Sequence, residues 1–325
     1  MSAGADSSLT IFHSLGEIPA SFGPSVAAIG NFDGVHLGHR EILAAAVAEA
    51  RALDARAVAI TFEPHPDHFL RPEAAPRMLT PVVERLRLLA TTGVDAVLVL
   101  RFDAALAQLR AHEFVRQVLA RALRVKALHE GGNFRFGFKA EAGIQELAAF
   151  GAEFGFALQV HEAVHVRGME VSSSAVRGLV AAGDVRRARW MLGRPFEVRS
   201  TPARGRGVGT RLLVPTVNLA QYDGLLPAAG VYVTRLTVEG RCFRAVTNVG
   251  DRPTFDGAGF SVETHILDFE PIELSEATPL QLEFLLRLRA EIEWPSPEAL
   301  KAQIMKDVTR AQRYFRLAAE KGLRS

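Results

Sequence analysis

The 325-residue chain has a single cysteine, Cys242, so no disulfide can form within it, and the scarcity fits a reducing cytoplasm. Charge of one sign is also lacking: 38 basic against 36 acidic residues leave a formal charge of +2, and the two signs are interspersed. That balance predicts neither nucleic acid nor an anionic membrane as partner. Residues 1–12 show no positive n-region and no apolar h-region, which predicts no signal peptide, and no uncharged apolar run reaches membrane-spanning length. Internal repeats and low-complexity linkers are absent. A hydrophobic content of 48% and a charged content of 23%, over this length, predict a soluble, cytoplasmic protein of two domains, each with its own core.

Against these absences stands Gly30-Asn31-Phe32-Asp33-Gly34-Val35-His36-Leu37-Gly38-His39. It follows an apolar run at 26–29 and precedes an alanine-rich helical run at 40–53, so a strand, a tight turn and a helix start lie side by side. No Gly-Lys-Ser/Thr follows, so it is not a Walker loop, and the G-x-G-x-x-G spacing of a dinucleotide fold is missing. Glycines at 30, 34 and 38 nevertheless let backbone N–H groups approach an anion, at the positive end of the coming helix. His36 and His39, three apart, can face one phosphate. A turn with its cap accounts for two such histidines equally well. Asp33, His36 and His39 also read as zinc ligands, though no second Cys/His cluster accompanies them.

Up to about Arg187, short apolar runs at 26–29, 57–62, 96–100, 125–129 and 156–160 alternate with helical periodicity at 38–53, 81–91, 111–122 and 144–154. This predicts βαβ units and a parallel sheet, with ligands at the carboxyl ends of the strands. The marked residues fall at those ends. Thr61-Phe62-Glu63-Pro64-His65-Pro66 is a loop stiffened by two prolines that offers an apolar edge to a ring, or merely ends a strand. Gly131-Gly132-Asn133-Phe134-Arg135-Phe136-Gly137 suits a planar ligand, or is a glycine turn with its aromatics in the core. Val171-Ser172-Ser173-Ser174-Ala175-Val176-Arg177 reads as a hydroxyl-rich helix start; capping explains one serine, and three with an arginine make a second phosphate seat.

After Gly193-Arg194-Pro195 the chain turns strand-like. Runs at 231–238 and 243–247 flank Glu239-Gly240-Arg241, a hairpin signal, and further strands at 262–267 and 280–288 predict a small antiparallel barrel. A final helix carries Leu300, Ile304, Val308, Ala311, Phe315 and Ala318 on one face. In the barrel, a basic glycine loop from Arg204 to Arg211 precedes Pro215-Thr216-Val217-Asn218, whose Thr216 and Asn218 share one strand face and can meet one metal or phosphate. Glu263, in an otherwise apolar strand, is either an outward surface residue or a general base.

In order, segments 30–39, 61–66, 133–137, 172–177, 193–195, 215–218, 248–255 and 263–265 resemble the bacterial bifunctional riboflavin kinase/FAD synthetase family. The tail, with Leu288-Arg289, Ser296 to Leu300, Gln303-Ile304 and Asp307, resembles it too, so the likeness spans essentially the whole chain. It implies an α/β nucleotidyltransferase domain, Rossmann-like with a parallel sheet, over residues 1–190. A small antiparallel β-barrel riboflavin kinase domain with a C-terminal helix would follow over 191–325. It implies phosphorylation of riboflavin to FMN by ATP, then adenylylation of FMN by a second ATP to FAD and pyrophosphate, with Mg2+. Its partners would be these small molecules, with no nucleic acid and no membrane; self-association is left open.

Carried over by motif, His36, His39 and Asn133 would serve adenylyl transfer, and Glu263 would be the kinase base. Gly30, Asn31, Phe32, Asp33, Gly34, Gly38, Ser172, Ser173 and Arg177 would hold the adenylyltransferase ATP. Phe62, Pro64, His65, Pro66, Phe134 and Phe136 would hold flavin. Gly205, Gly207, Thr216 and Asn218 would hold the kinase ATP, the last two also the metal. The kinase loop departs from the family pattern: Gly205-Arg206-Gly207 sits early, and Leu212-Leu213-Val214 rather than a glycine precede Pro215. Ser174 stands where threonine is usual.

Overall fold

The computed structural model describes residues 9–203, 216–254, 257–268, 272 and 274–320. The chain divides into two compact units, Met1–Ser173 and Ser174–Ser325. The kinase loop of residues 204–215, with Gly205 and Gly207, lies outside the described residues. No helix among the described residues is long and apolar enough to cross a membrane.

The first unit is built on six parallel strands: β1 (Thr10–Phe12), β2 (Ser25–Ile29), β3 (Arg56–Glu63), β4 (Ala96–Arg101), β5 (Val125–Gly131) and β6 (Ala157–His161). They lie in the order β1-β4-β3-β2-β5-β6. Parallel strands are covered on both faces, which is why β2 reads as an uninterrupted small-apolar run and is buried throughout. Alternate residues feed two cores. Val26, Ala28, Ala57 and Ala59 pack with Leu43, Ala46 and Ala50 of α1 (Leu37–Ala52). Ala27, Ile29, Val58 and Ile60 pack on the other side with Phe114, Val115, Leu119 and Leu147.

Smaller helices complete this unit: α2 (Pro66–Leu70), α3 (Val82–Ala90), α4 (Ala104–Ala107), α5 (Ala111–Phe114) and α6 (Ile144–Phe154). The helix expected over 111–122 is α-helical only through Phe114 and continues as a π-helix over Val115–Ala122, whose wider turns bury Val115, Val118 and Leu119. The edge strand β1 was not among the expected strands, because three mostly exposed residues carry no periodicity. From β2 the chain moves outward to β3 and β4, then returns to lay β5 on the other side of β2. The carboxyl ends of β2 and β5 thus bound the switch-point crevice, where ligands bind in such sheets. A short hairpin, β7 (His165–Val166) and β8 (Met169–Glu170), follows.

The second unit takes in α7 (Ser173–Ala181) from Ser174 onward, then α8 (Val185–Leu192). Its sheet comprises β9 (Phe196–Ser200), β10 (Thr216–Asn218), β11 (Gly230–Val238), β12 (Arg241–Thr254), β13 (Gly257–Ile266) and β14 (Leu280–Ala290). All neighbours are antiparallel, in the order β10-β13-β12-β11-β14-β9. The two edges meet: Pro202 bridges Leu219, Ala203 N–H donates to the Asn218 carbonyl at 2.8 Å, and Ala220 N–H donates to that of Thr201 at 2.8 Å. The sheet therefore curls into a small barrel, as the strand pattern predicts. The β11–β12 turn is the two-residue Glu239-Gly240, both at positive φ, the form that matches strand twist. Tyr232, Leu236, Leu282, Phe284 and Val249 are buried, and a row of hydroxyls joins Thr234 to Thr247 at 2.7 Å and Thr247 to Thr264 at 3.0 Å. The final helix, α9 (Pro297–Glu320), lays Ala311 and Phe315 on Val231, Val233, Val246 and Leu285 of the strands. It also buries Asp307, which accepts from Arg289 at 2.9 Å and from Gln303 at 3.0 Å, a polar contact that the apolar spacing does not predict.

Candidate active sites

At the switch point, β2 ends and the chain turns through Phe32, Gly34 and Val35, all at positive φ, into α1. His36 caps that helix: its Nδ1 accepts from the His39 backbone N–H at 3.3 Å, which puts the proton of the neutral ring on Nε2. The His36 and His39 rings stack at 3.6 Å between centroids, 17° from parallel. Burial, and then the neighbouring His36, hold the His39 imidazole well below the ordinary histidine range, so the resting His39 ring is uncharged near neutrality. His39 Nδ1 is buried with no hydrogen-bond partner among the described residues.

The turn itself is held from beneath. The fully buried Asp33 carboxylate accepts from the Leu79 and Thr80 backbone N–H groups at 3.1 and 3.0 Å and from the Thr80 hydroxyl at 3.3 Å. Gly34 N–H donates to that same hydroxyl at 3.0 Å. Ser173 Oγ donates to the Asp33 carbonyl at 2.9 Å, which ties the hydroxyl-rich helix start to the glycine turn. Arg177 belongs to the second unit, where it donates to Ser174 Oγ.

Two neighbouring loops join this turn. Asn31 Nδ2 and His65 Nε2 lie 2.9 Å apart, and His65 Nδ1 accepts from Asp67 N–H at 3.2 Å, so the His65 ring is held between the two loops. Pro64 is exposed and Phe62 half-buried against Phe102, so this loop combines an open apolar edge with an anchored one. Beyond β5, Asn133 is exposed, while the Phe134 and Phe136 rings lie 5.4 Å apart and nearly parallel, packed partly on the core. Glu130, at the end of β5, is buried and accepts from Ile29 N–H at 2.7 Å; burial pushes its carboxyl well above the usual carboxylate range. Among the described residues no three His, Cys, Asp or Glu side chains group to hold a metal ion.

In the barrel, register does the assembling. Asn218 of β10 lies opposite Glu263 of β13, and Glu263 lies opposite Asn248 of β12. Residues directly opposite on antiparallel strands share a face, with Cβ atoms about 5 Å apart. Thr216 is opposite His265 by the same ladder, so five polar residues line one outer strip. Thr264, between them, is wholly buried on the inner side. Asn218 Oδ1 is buried with no hydrogen-bond donor among the described residues.

The family model for FAD synthetase matches residues 18–175, and that for riboflavin kinase matches 192–315. Curated relatives called bifunctional riboflavin kinase/FMN adenylyltransferase include that of Pseudomonas fluorescens, 37% identical over 88% of this chain and 92% of its own, and that of Escherichia coli K12, 35% identical over 94% and 96%. The chain belongs to this family. A solved structure described as a macrolide-efflux protein of Streptococcus pneumoniae superposes on 94% of this chain and 98% of its own, with 27% identity and a TM-score of 0.85.

The family's two halves thus each contain a separate polar site, and the first also depends on residues outside the marked stretches. Thr80 and Arg85, of the adenylyltransferase half, lie outside every marked stretch, whereas Glu130 opens the marked stretch that follows the fourth expected strand. For Arg85 a signal was present: buried residues of α3 fall at 85, 88 and 89, so the arginine occupies the apolar stripe beside Leu88 and Leu89. Asn248 lies inside a family segment, but its partnership with Glu263 depends on register, which spacing along one strand does not reveal.

Proposed function

We propose that residues 191–325 convert riboflavin to FMN at the Thr216–Asn218–Glu263 strip and that residues 1–190 convert FMN to FAD at the His36–His39 turn. What supports this most is that each matched half has its own polar site, of the chemistry its reaction needs.

In the kinase, Glu263 accepts the proton of the ribityl hydroxyl as that oxygen attacks the γ-phosphorus of ATP, and the bond from the γ-phosphorus to the bridging oxygen breaks to release ADP. Oxygen donors suit Mg2+, and the unpartnered Asn218 Oδ1 with Thr216 on the same strand face fits such an ion. Bound there, magnesium supplies neutralisation of charge on the phosphates. Asn248 lies opposite Glu263 on the neighbouring strand.

In the adenylyltransferase, a phosphate oxygen of FMN attacks the α-phosphorus of a second ATP, and the α–β bridging bond breaks to release pyrophosphate. A phosphate monoester is already ionised at neutral pH, so no base is required; alignment and charge stabilisation carry the rate. His36 Nε2–H donates to a phosphate oxygen at the N-terminus of α1. His39, neutral at rest, gains a proton most readily when the triphosphate is beside it. Ser172 and Ser173 hold the triphosphate, Asn133 reaches the reacting phosphate, and Pro64, Pro66, Phe62, Phe134 and Phe136 receive the flavin ring.

The test is a time course of the purified protein with riboflavin, ATP and magnesium, resolved by chromatography. FMN should rise and then give way to FAD. Riboflavin that stays unchanged while added FMN becomes FAD would remove the kinase half of the reading.

A further inference from the structure

Arg85 is wholly buried, and its guanidinium reaches out of its own helix to two neighbouring loops. Its guanidinium donates to the Asn31 carbonyl at 3.0 Å, to the Phe62 carbonyl at 3.1 Å, and to the Glu63 carboxylate at 2.5 Å. The first acceptor lies in the turn after β2, the other two at the end of β3. One rigid fork therefore spans the phosphate turn and the flavin loop. The Asn31 carbonyl also accepts from Thr61 Oγ1 at 3.2 Å, so this one peptide group is gripped from two sides. Five residues earlier in the chain, Thr80 makes the hydrogen bonds that hold Asp33 and Gly34. A single segment, 79–85, thus fastens the turn at Asn31, Asp33 and Gly34.

Stability alone is a poor reason for this residue. Burying a guanidinium forfeits its hydration, and a well-packed apolar side chain in its place is often neutral or better. Leu88 and Leu89 occupy the same stripe one turn on, so such a side chain would suit the site. A planar fork with donors in fixed directions gives something an apolar residue cannot: a set distance between two carbonyls on different loops.

We propose that Arg85 is the positioning residue of adenylyl transfer: by holding the Asn31 and Phe62 carbonyls on one guanidinium it fixes the phosphate turn against the flavin loop, and so the line of the FMN phosphate onto the α-phosphorus. This rests on the assignment of FAD formation to the first unit. Arg85 touches neither substrate, and it acts only through the two loops.

The experiment compares full-length wild-type protein with Arg85→Lys and Arg85→Met. It measures kcat and KM for FMN-to-FAD conversion, binding of a non-hydrolysable ATP analogue with its stoichiometry, and FMN formation from riboflavin in the same preparations. Misalignment by about 1 Å costs about a hundredfold in rate. Arg85→Met should therefore lower kcat for FAD formation about a hundredfold while analogue affinity and stoichiometry stay within about threefold. Arg85→Lys, which keeps the charge but reaches one carbonyl at a time, should fall between the two. FMN formation should be unchanged in both. Wild-type kcat in both variants would overturn the proposal, as would a kcat that falls only in proportion to lost binding sites, since that is mere unfolding. Absence of FAD formation by the wild-type protein would instead overturn the assignment of the activity, and is read before either variant.

Discussion

In the first unit the polar residues sit in loops at the carboxyl ends of parallel strands, and a separate set of hydrogen bonds from Thr80, Arg85 and Ser173 holds those loops in place. In the barrel, Asn218, Glu263 and Asn248 lie on three neighbouring strands, and the sheet ladder itself fixes their spacing. A loop-borne site depends on remote residues that never touch substrate. A ladder-borne site depends mainly on the residues that do.

The largest effect is expected at Glu263, since a positioned general base contributes about 10²–10⁴-fold. Glu263→Gln should cost FMN formation about a thousandfold and leave conversion of added FMN to FAD intact, checked by chromatography of both products. Full kinase turnover in that variant would remove Glu263 as the base. His39→Ala comes next. Loss of a charge-stabilising donor costs about 10²–10³-fold, so FAD formation should fall by that much while FMN formation is spared. A folded His39→Ala protein that loses both activities equally would erase the division between the units.

A matched pair of threonines puts the contrast to a direct test. Thr80→Val removes the hydroxyl that both donates to Asp33 and accepts from Gly34, and Thr247→Val removes the middle hydroxyl of the barrel's inner row. Each leaves buried polar partners unsatisfied and should destabilise its unit by about 1–3 kcal/mol, read by denaturant melts. Only Thr80→Val should also lower its unit's turnover, by about tenfold, because the phosphate turn loses its fastening. Equal retention of activity by both variants would show that the turn needs no support.

The smallest expected signal is a proton. Burial and His36 depress the His39 pKa, so the ring is neutral at pH 6.5 before ATP arrives, and a triphosphate beside it raises that pKa and draws a proton from the buffer. Binding heats for ATP in two buffers of different ionisation enthalpy should therefore differ more for wild-type protein than for His39→Asn. Identical differences would place the triphosphate away from His39.

This contrast also explains what could be read from the sequence. Residues 30–39 carry glycines, histidines and a helix start in one unbroken stretch, so the phosphate turn is visible locally, and the alternating runs forecast the parallel sheet around it. The barrel strip is spread from Thr216 to His265, and its individual residues are ordinary; family resemblance marks Asn218 and Glu263, but only pairing across three strands puts Asn248 beside them. Asp33 shows the opposite limit. Within its motif it reads as a ligand for ATP, yet its carboxylate is engaged by Leu79 and Thr80, more than forty positions away. Arg85 was hidden because a buried arginine looks like any charged helix residue until the positions of Leu88 and Leu89 are used to orient the helix.

If two separate sites act in sequence through FMN, two variants that each lack one site should together restore the whole conversion. Equimolar Glu263→Gln and His39→Ala proteins, mixed and supplied with riboflavin, ATP and magnesium, test it most directly. Neither protein alone should carry riboflavin to FAD at more than a trace. The mixture should do so after a lag, with free FMN rising first, because each protein supplies the site the other lacks. No FAD from the mixture, when each variant still performs its own half-reaction, would contradict the account.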